Sequence, residues 1–237
     1  MKKQDLIYKG KAKSVYATAD AEKVIIYFND DATALNGVKH AIIDNKGVLN
    51  NQISTLIFKE LKKAEIPTHH LETLNDREQL CQKVKIIPLE VITRNVIAGS
   101  MANRLGFEEG SIPPNVVLEI CYKNDKLNDP LINDDHAVAL GVCSYEQLKQ
   151  VYDLTRKINE LLKNLFDKCG IILVDFKIEF GINSKGEIVL ADEISPDCMR
   201  LWDKQTKQKL DKDLFRRDMG GLTNAYEEVL KRLNEVL

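Results

Sequence analysis

No stretch of this 237-residue chain stays apolar for the length that a bilayer span requires. Behind Lys2 and Lys3 there is no apolar core of a signal peptide, so a cytoplasmic protein without a membrane partner is expected. A basic excess is missing too: 34 Lys and Arg stand against 36 Asp and Glu, for a net charge of −2. That balance argues against a general binder of nucleic acid polymers, whose phosphates call for such an excess. Cysteine is scattered. Cys81, Cys121, Cys143, Cys169 and Cys198 form no CxxC pair, which speaks against a zinc site and a disulfide framework alike. Of the four histidines only His69 and His70 adjoin. Neighbours on a strand point to opposite faces, so the pair is expected at a surface or interface rather than on one metal. Three catalytic plans are also absent: a GxxxxGKS/T phosphate loop, a GxGxxG dinucleotide turn and a GxSxG nucleophile elbow.

What remains is an ordinary globular composition, 44% hydrophobic and 30% charged, long enough for one large domain or two small ones. Strands are expected at Leu6–Tyr8, Ser14–Ala17 and Val24–Phe28, with Gly10-Lys-Ala-Lys13 as a tight connection. Asn50 is positioned to cap a helix running to about Ala64, striped by Ile53, Leu56, Ile57 and Leu61. Pro88 interrupts the apolar stretch 84–92, and a short helix is expected from Ser100 to Leu105, stopped by Gly106. Ser144 and Gln147 make a capping box ahead of a helix that Gly170 ends. A last helix from about Leu222 buries Tyr226, Val229, Leu230 and Leu233. Strands first, then mixed helices and antiparallel strands, indicate an α+β fold with two lobes.

The most informative stretch is 171–203. Asp175, Lys177 and Glu179 alternate with Val174, Phe176, Ile178 and Phe180, so the three charges share one strand face. Asn183-Ser-Lys-Gly186 supplies a turn, and the returning strand 187–192 brings Asp192 beside Lys177 or Glu179. A solvated sheet face explains such a pattern in many proteins. Here Ser195-Pro196-Asp197 and Arg200 follow at once, and carboxylates beside fixed cations are what Mg²⁺ and phosphate oxygens require. Three further signals admit two readings each. Lys11 and Lys13 flank Ala12 after a glycine, either a phosphate cradle or a solvated hairpin. Arg94 on an apolar strand needs a partner, either a structural carboxylate or a bound anion. Ser100 and Arg104 at a helix start suit an anion or simply face water.

Taken together, YKGKAKSVY, NVIAGSMANRLG, KNDKLNDP, ILVDFKIEFG, ADEISPDCMRLWD and DKDLFRRDMGGL resemble, in order and over nearly the whole length, the SAICAR synthetase family. The resemblance implies a small antiparallel-sheet lobe over ATP at 1–85 and a larger α+β lobe for substrate and metal at 86–237. It implies an ATP-dependent ligase that joins L-aspartate to the carboxylate of carboxyaminoimidazole ribonucleotide (CAIR), and a homodimer. Position by position, Lys11, Ala12 and Lys13 resemble the loop that covers ATP. Lys85, Ile87 and Glu90 fall in the segment similar to the one that meets adenine, and Lys123 lies near the nucleotide. Glu179 and Asp192 resemble the ligands of Mg²⁺. Asp175 and Lys177 resemble the catalytic pair, with Arg94, Ser100, Arg200 and Arg216 around CAIR. At Asp197-Cys-Met-Arg200 the chain carries bulkier residues than relatives often have, and the stretch from His136 to Gly141 matches no assigned motif. A small-molecule kinase would use the same Mg–ATP residues but release a phosphorylated product instead of free phosphate.

Overall fold

The computed structural model describes residues 1–34 and 39–237. β1 (Leu6–Lys9), β2 (Lys13–Ala17) and β3 (Lys23–Phe28) run antiparallel in sequence order. β4 (Asp31–Ala34) pairs with β5 (Lys39–Ile42), and α1 (Lys46–Lys63) follows. β6 (His70–Asn75) and β7 (Glu78–Gln82) then return to the first sheet, whose order is β1-β2-β3-β7-β6. Its own apolar cluster is small: Val24, Ile26, Phe28 and Cys81.

The larger sheet begins with β8 (Lys85–Ile86) and β9 (Leu89–Arg94), separated where Pro88 withholds an N–H from the ladder. α2 (Gly99–Leu105), β10 (Val117–Tyr122), a 3-10 turn at Asp125–Leu127, β11 (Leu131–Ile132), α3 (Asp134–Ala139) and α4 (Tyr145–Lys168) lead to the long β12 (Ile171–Ile182). β13 (Ile188–Ala191), β14 (Met199–Asp203), α5 (Asp213–Arg216) and α6 (Leu222–Val236) complete the chain. The order is β11-β10-β9-β12-β13, with β14 and β8 also on β12. The result is α+β, two antiparallel sheets with helices packed on the second, as the sequence pattern indicates.

The capping box forms as expected, with Gln147 N–H donating to Ser144 Oγ and Gln147 Oε1 accepting from Ser144 N–H, and Gly170 turns the chain at φ 66°. α1 differs. It starts at Lys46, four residues before the Asn50 that local pattern selects, and Asn50 is buried inside it. The reason is remote in sequence: Asp30 accepts from Gly47 N–H, and Gly47 leaves no room for a side chain against the Phe28 carbonyl. A long-range acceptor has replaced the local cap.

Most of the apolar core is one body. Ile53, Ile57 and Phe58 of α1 join Ile158 and Leu162 of α4, Tyr226 and Val229 of α6, and the inner face of β12. Each fully buried Leu, Ile or Phe contributes roughly 1.5–3 kcal/mol. α1 therefore packs into the core of the second sheet although the chain returns to the first sheet after it. The opposite face of β12 is left for chemistry.

Candidate active site

β12 sits in the middle of its sheet, so each charge on its outer face acquires cross-strand neighbours. Asp175 lies opposite Arg94 of β9 and Arg200 of β14. The second pairing depends on a bulge. Leu173 faces Leu201 and Asp175 faces Arg200, so Val174 is the extra residue. Without it Arg200 would pair with Val174 and Asp175 would fall opposite Met199 on the core face, because side chains alternate. The Val174 carbonyl accepts instead from the N–H groups of Asn95 and Val96.

The arginines form a fixed chain. Arg94 is 2% exposed; its Nε donates to Glu119 Oε2 at 2.8 Å, its Nη1 to Asp175 Oδ2 at 3.2 Å and its Nη2 to Ser100 Oγ at 3.0 Å. Arg200 Nη1 donates to the same Asp175 oxygen at 2.8 Å, and its Nε to Asp213 Oδ2 at 3.0 Å. Asp213 Oδ1 accepts from Arg216 at 2.7 Å. Gly99 opens α2 at φ 55°, and a Cβ there would stand 2.4 Å from Arg200 Nη2. Glycine is required twice over, for the backbone and for the guanidinium. Burial raises the Asp175 carboxyl above its ordinary range, although Arg200 and Arg94 oppose the rise.

Further along β12 lysines replace arginines. Lys177 Nζ donates to Glu90 Oε1 at 2.5 Å and lies 3.5 Å from Glu179 Oε1, which also accepts from Lys123 at 2.5 Å. Burial alone would raise the Glu179 carboxyl, but Lys177 and Lys123 hold it below its ordinary range. Glu179 pairs with Ala191 across the hairpin, which places Asp192 beside it, in the left-handed region at φ 64°. Lys13 forms ion pairs with both Asp192 and Glu193. Burial lowers the Lys13 ammonium to about 7 and raises the Asp192 carboxyl to about 7. Within the ion pair the charges favour the ionised forms of both.

Asp175 and Glu179 are 4% and 3% exposed, so this is no solvated sheet face. A pocket of about 160 Å³ is lined by Arg94, Ser100, Asp175, Lys177, Arg200 and Arg216 among others. Lys11 and Lys13 part company: Lys11 pairs at 2.7 Å with Asp125, on the loop that carries Lys123. Ala12 is half-buried between them, and its carbonyl accepts from Asn29 N–H. Lys85 is exposed and Ile87 buried, and Ile87 N–H donates to the Phe180 carbonyl. A larger cavity of about 510 Å³, between the end of β14 and the start of α6, has no such convergence of opposite charges from separate strands.

One expectation fails outright. His69 is not at a surface: it is 4% exposed, and burial takes its imidazole down to about 3, so it is neutral. Thr68 bridges to Leu190, His69 N–H donates to the Leu190 carbonyl, and the ring lies 5.8 Å from that of Phe58. Several residues of the site went unnoticed in the sequence. Glu119, Glu193 and Asp213 are acids with no local peculiarity, and only pairing across strands and loops reveals them.

Glu179, paired with Lys123 and Lys177, and Asp192, paired with Lys13, offer hard carboxylate oxygens, and a Mg²⁺ ion carried in on phosphates needs only one or two such groups. The donor set therefore fits that metal. No cluster of three or more His, Cys, Asp or Glu stands ready for a metal among the described residues.

A glycine-turn sheet set over a carboxylate–lysine hairpin, with an arginine pocket next to it, is the layout of a phosphoryl-transfer enzyme with an anionic second substrate. A family model described as SAICAR synthetase matches residues 6–233. The phosphoribosylaminoimidazole-succinocarboxamide synthase of Dichelobacter nodosus is 71% identical over 236 residues, covering 100% of this chain and 99% of that one. That of Fusobacterium nucleatum is 61% identical, covering 99% of each. The solved synthase from Ehrlichia chaffeensis superposes with a TM-score of 0.95 at 42% identity, covering 98% of this chain and 99% of that one. A SAICAR synthetase solved in complex with ADP gives 0.93 at 47% identity, covering 95% and 96%. The chain belongs to the SAICAR synthetase family.

Proposed function

We propose that the chain joins L-aspartate to the carboxylate of CAIR at the expense of ATP, releasing SAICAR, ADP and phosphate. The observation that carries this reading is the continuity of two sites along β12. The lysine–carboxylate cluster suits a nucleoside triphosphate, and the arginine pocket beside it suits a nucleotide bearing a phosphate and a carboxylate. The relative solved with ADP supports the first assignment.

A carboxylate resists attack by an amine because it is negatively charged and has no good leaving group. Transfer of the γ-phosphoryl group to its oxygen gives an acyl phosphate. The aspartate amine then attacks the acyl carbon, loses a proton, and phosphate leaves. No protein nucleophile is needed, only positioning, charge neutralisation and exclusion of water. Lys11 and Lys13 hold phosphate oxygens, the backbone from Lys85 through Ile87 to Glu90 meets the base, and Lys123 steadies the nucleotide. Arg94, Ser100, Arg200 and Arg216 hold CAIR, while Asp175 fixes two of those arginines. Lys177, anchored by Glu90 and Glu179, neutralises charge where the two substrates meet. Glu179 and Asp192 hold Mg²⁺, which when bound draws charge from the phosphates. The chain works in this reading as a cytoplasmic homodimer, in line with the family resemblance. Among the described residues no helix is long and apolar enough to cross a membrane.

The test is phosphate release with ATP, Mg²⁺ and CAIR, with and without L-aspartate. Release with SAICAR formation that depends on aspartate is expected. A phosphorylated CAIR accumulating without free phosphate would return the kinase reading.

A further inference from the structure

One buried acid next to the arginine pocket has more cations around it than oxygens to offer. Asp213 is 1% exposed. Among the described residues four cations lie within 4.0 Å of it. Arg216 Nη1 stands 2.7 Å from Oδ1, while Arg200 Nε at 3.0 Å, Arg217 Nη2 at 3.5 Å and Lys209 Nζ at 4.0 Å all face Oδ2. Arg200 and Arg216 line the pocket; Arg217 and Lys209 do not.

The crowding follows from the chain itself. Arg217 N–H donates to the Asp213 carbonyl at 2.9 Å, so the two residues are one helical turn apart and their side chains share a face. Left to local forces, Arg217 would close onto Asp213 Oδ2, the oxygen that Arg200 uses. Arg200 would then be left with Asp175 alone to fix its guanidinium.

A remote acid prevents this. Glu109, on the loop after α2, takes Arg217 through both oxygens: Nη2 donates to Oε1 at 2.6 Å and Nη1 to Oε2 at 3.1 Å. Two parallel charged hydrogen bonds are the strong form of such a pair. Lys209 is drawn off as well, its ammonium lying 4.7 Å from the centre of the Trp202 ring. The place of α5 does not hang on Glu109, because Lys39 Nζ donates to the Phe215 carbonyl and to Asp218 Oδ1, each at 2.5 Å. Glu109 Oε1 also accepts from Gly99 N–H at 3.4 Å, a contact that a neutral amide oxygen can keep.

We infer that Glu109 is a positioning residue for the CAIR pocket: by holding Arg217 it leaves Asp213 to Arg200 and Arg216. Glu109 does not itself line the pocket, so it acts through these side chains. This rests on the ligase reading above, in which the two arginines hold CAIR.

The Arg217 and Glu109 side chains are 41% and 33% exposed, so a pair that merely decorates the surface would leave both stability and kinetics nearly unchanged on removal. The positioning role predicts otherwise. Glu109→Gln keeps the acceptor for Gly99 and releases Arg217, and KM for CAIR rises roughly threefold to tenfold, since Arg200 shares rather than loses a charged hydrogen bond. The kcat at saturating CAIR, KM for ATP and the melting temperature stay near those of the wild type. A second variant decides the route. Glu109→Gln with Arg217→Met removes the competitor together with its holder, and KM for CAIR returns to within about twofold of the wild type. An unchanged KM for CAIR in Glu109→Gln would overturn the assignment. So would failure of that variant to fold, or a double variant no better than the single, which would make Glu109 a clasp between loops. Wild-type enzyme that shows no CAIR-dependent phosphate release would overturn the ligase reading instead.

Discussion

The two ends of β12 solve the same electrostatic problem with different cations. At the end proposed for CAIR, Arg94 and Arg200 grip a single Asp175 oxygen, and Glu119 and Asp213 hold the far sides of their guanidinium planes. At the end proposed for the nucleotide, Lys13, Lys123 and Lys177 stand on Glu179, Asp192, Glu193 and Glu90. A guanidinium is a rigid fork, and three fixed contacts on Arg94 and two on Arg200 leave each one orientation. An ammonium is a point charge on a flexible stem, and it can change partners without rebuilding the site. The arginine end is thus set in advance for one anion. At the lysine end, in the proposed reading, each ammonium would move to a phosphate while a metal takes over the acid.

The sharpest way to break that contrast is at the two carboxylates proposed for the metal. Glu179→Gln and Asp192→Asn should retain the fold and lose turnover on the order of a hundredfold, since a neutral amide is a poor Mg²⁺ ligand. Mn²⁺ binding in the presence of ADP, followed by electron paramagnetic resonance, should weaken in step. Intact Mn²⁺ binding in both variants would show that these acids serve only as partners for lysine.

The arginine end is tested by keeping its charge. Arg200→Lys preserves the cation and loses the fork between Asp175 and Asp213. A fall of roughly tenfold to thirtyfold in kcat/KM for CAIR is expected, at saturating ATP, in line with one charged hydrogen bond. A lower melting temperature with CAIR kinetics intact would assign this arginine to the scaffold.

How far these ends were legible in sequence follows from the reach of the interactions. Alternation along 174–180 placed Asp175, Lys177 and Glu179 on one face, because strand period is a local property. The turn at 183–186 brought Asp192 to Glu179 for the same reason. Arg200 needed more: its place depends on a one-residue bulge at Val174 that no pattern in 171–203 announces. Asp213 and Glu119 are visible only once β14, α5 and β10 are assembled. The start of α1 was missed because its cap is Asp30, and the burial of His69 because the covering strand lies more than a hundred residues away.

Lys13 sharpens the comparison from the lysine side. Read as a surface residue, it would leave stability untouched on removal. Its side chain is only 16% exposed between Asp192 and Glu193, which alters the expectation. Lys13→Ala sets two half-buried or buried carboxylates side by side without a cation, so the free enzyme should lose roughly 1–2 kcal/mol. KM for ATP should rise severalfold. Thermal melts with and without Mg–ADP check the exchange: the deficit should shrink when the ligand brings its own cation. A deficit of the same size with Mg–ADP would make Lys13 a structural residue only.

The smallest effect lies outside both ends and keeps acid sensitivity from being credited to either. His70 stacks on Phe58 at 4.9 Å between ring centres and 4° between planes, with Nε2 3.1 Å from Thr73 Oγ1. Burial, and then Lys62 and Lys59, lower its imidazole from 6.5 to about 4. In the unfolded chain His70 takes up its proton near 6.5, whereas in the folded protein it waits until about 4. Between those values the unfolded state binds more protons, so stability falls as pH falls and levels off below about 4. His70 is partly exposed, and solvent screening reduces the effect to about 1 kcal/mol at pH 5. His70→Phe keeps a ring on Phe58 and removes the proton site. Its melting temperature should therefore depend less on pH between 6.5 and 4 than the wild type's, with the two curves running parallel above pH 7. Parallel curves throughout would move the acid sensitivity back to the carboxylates of β12.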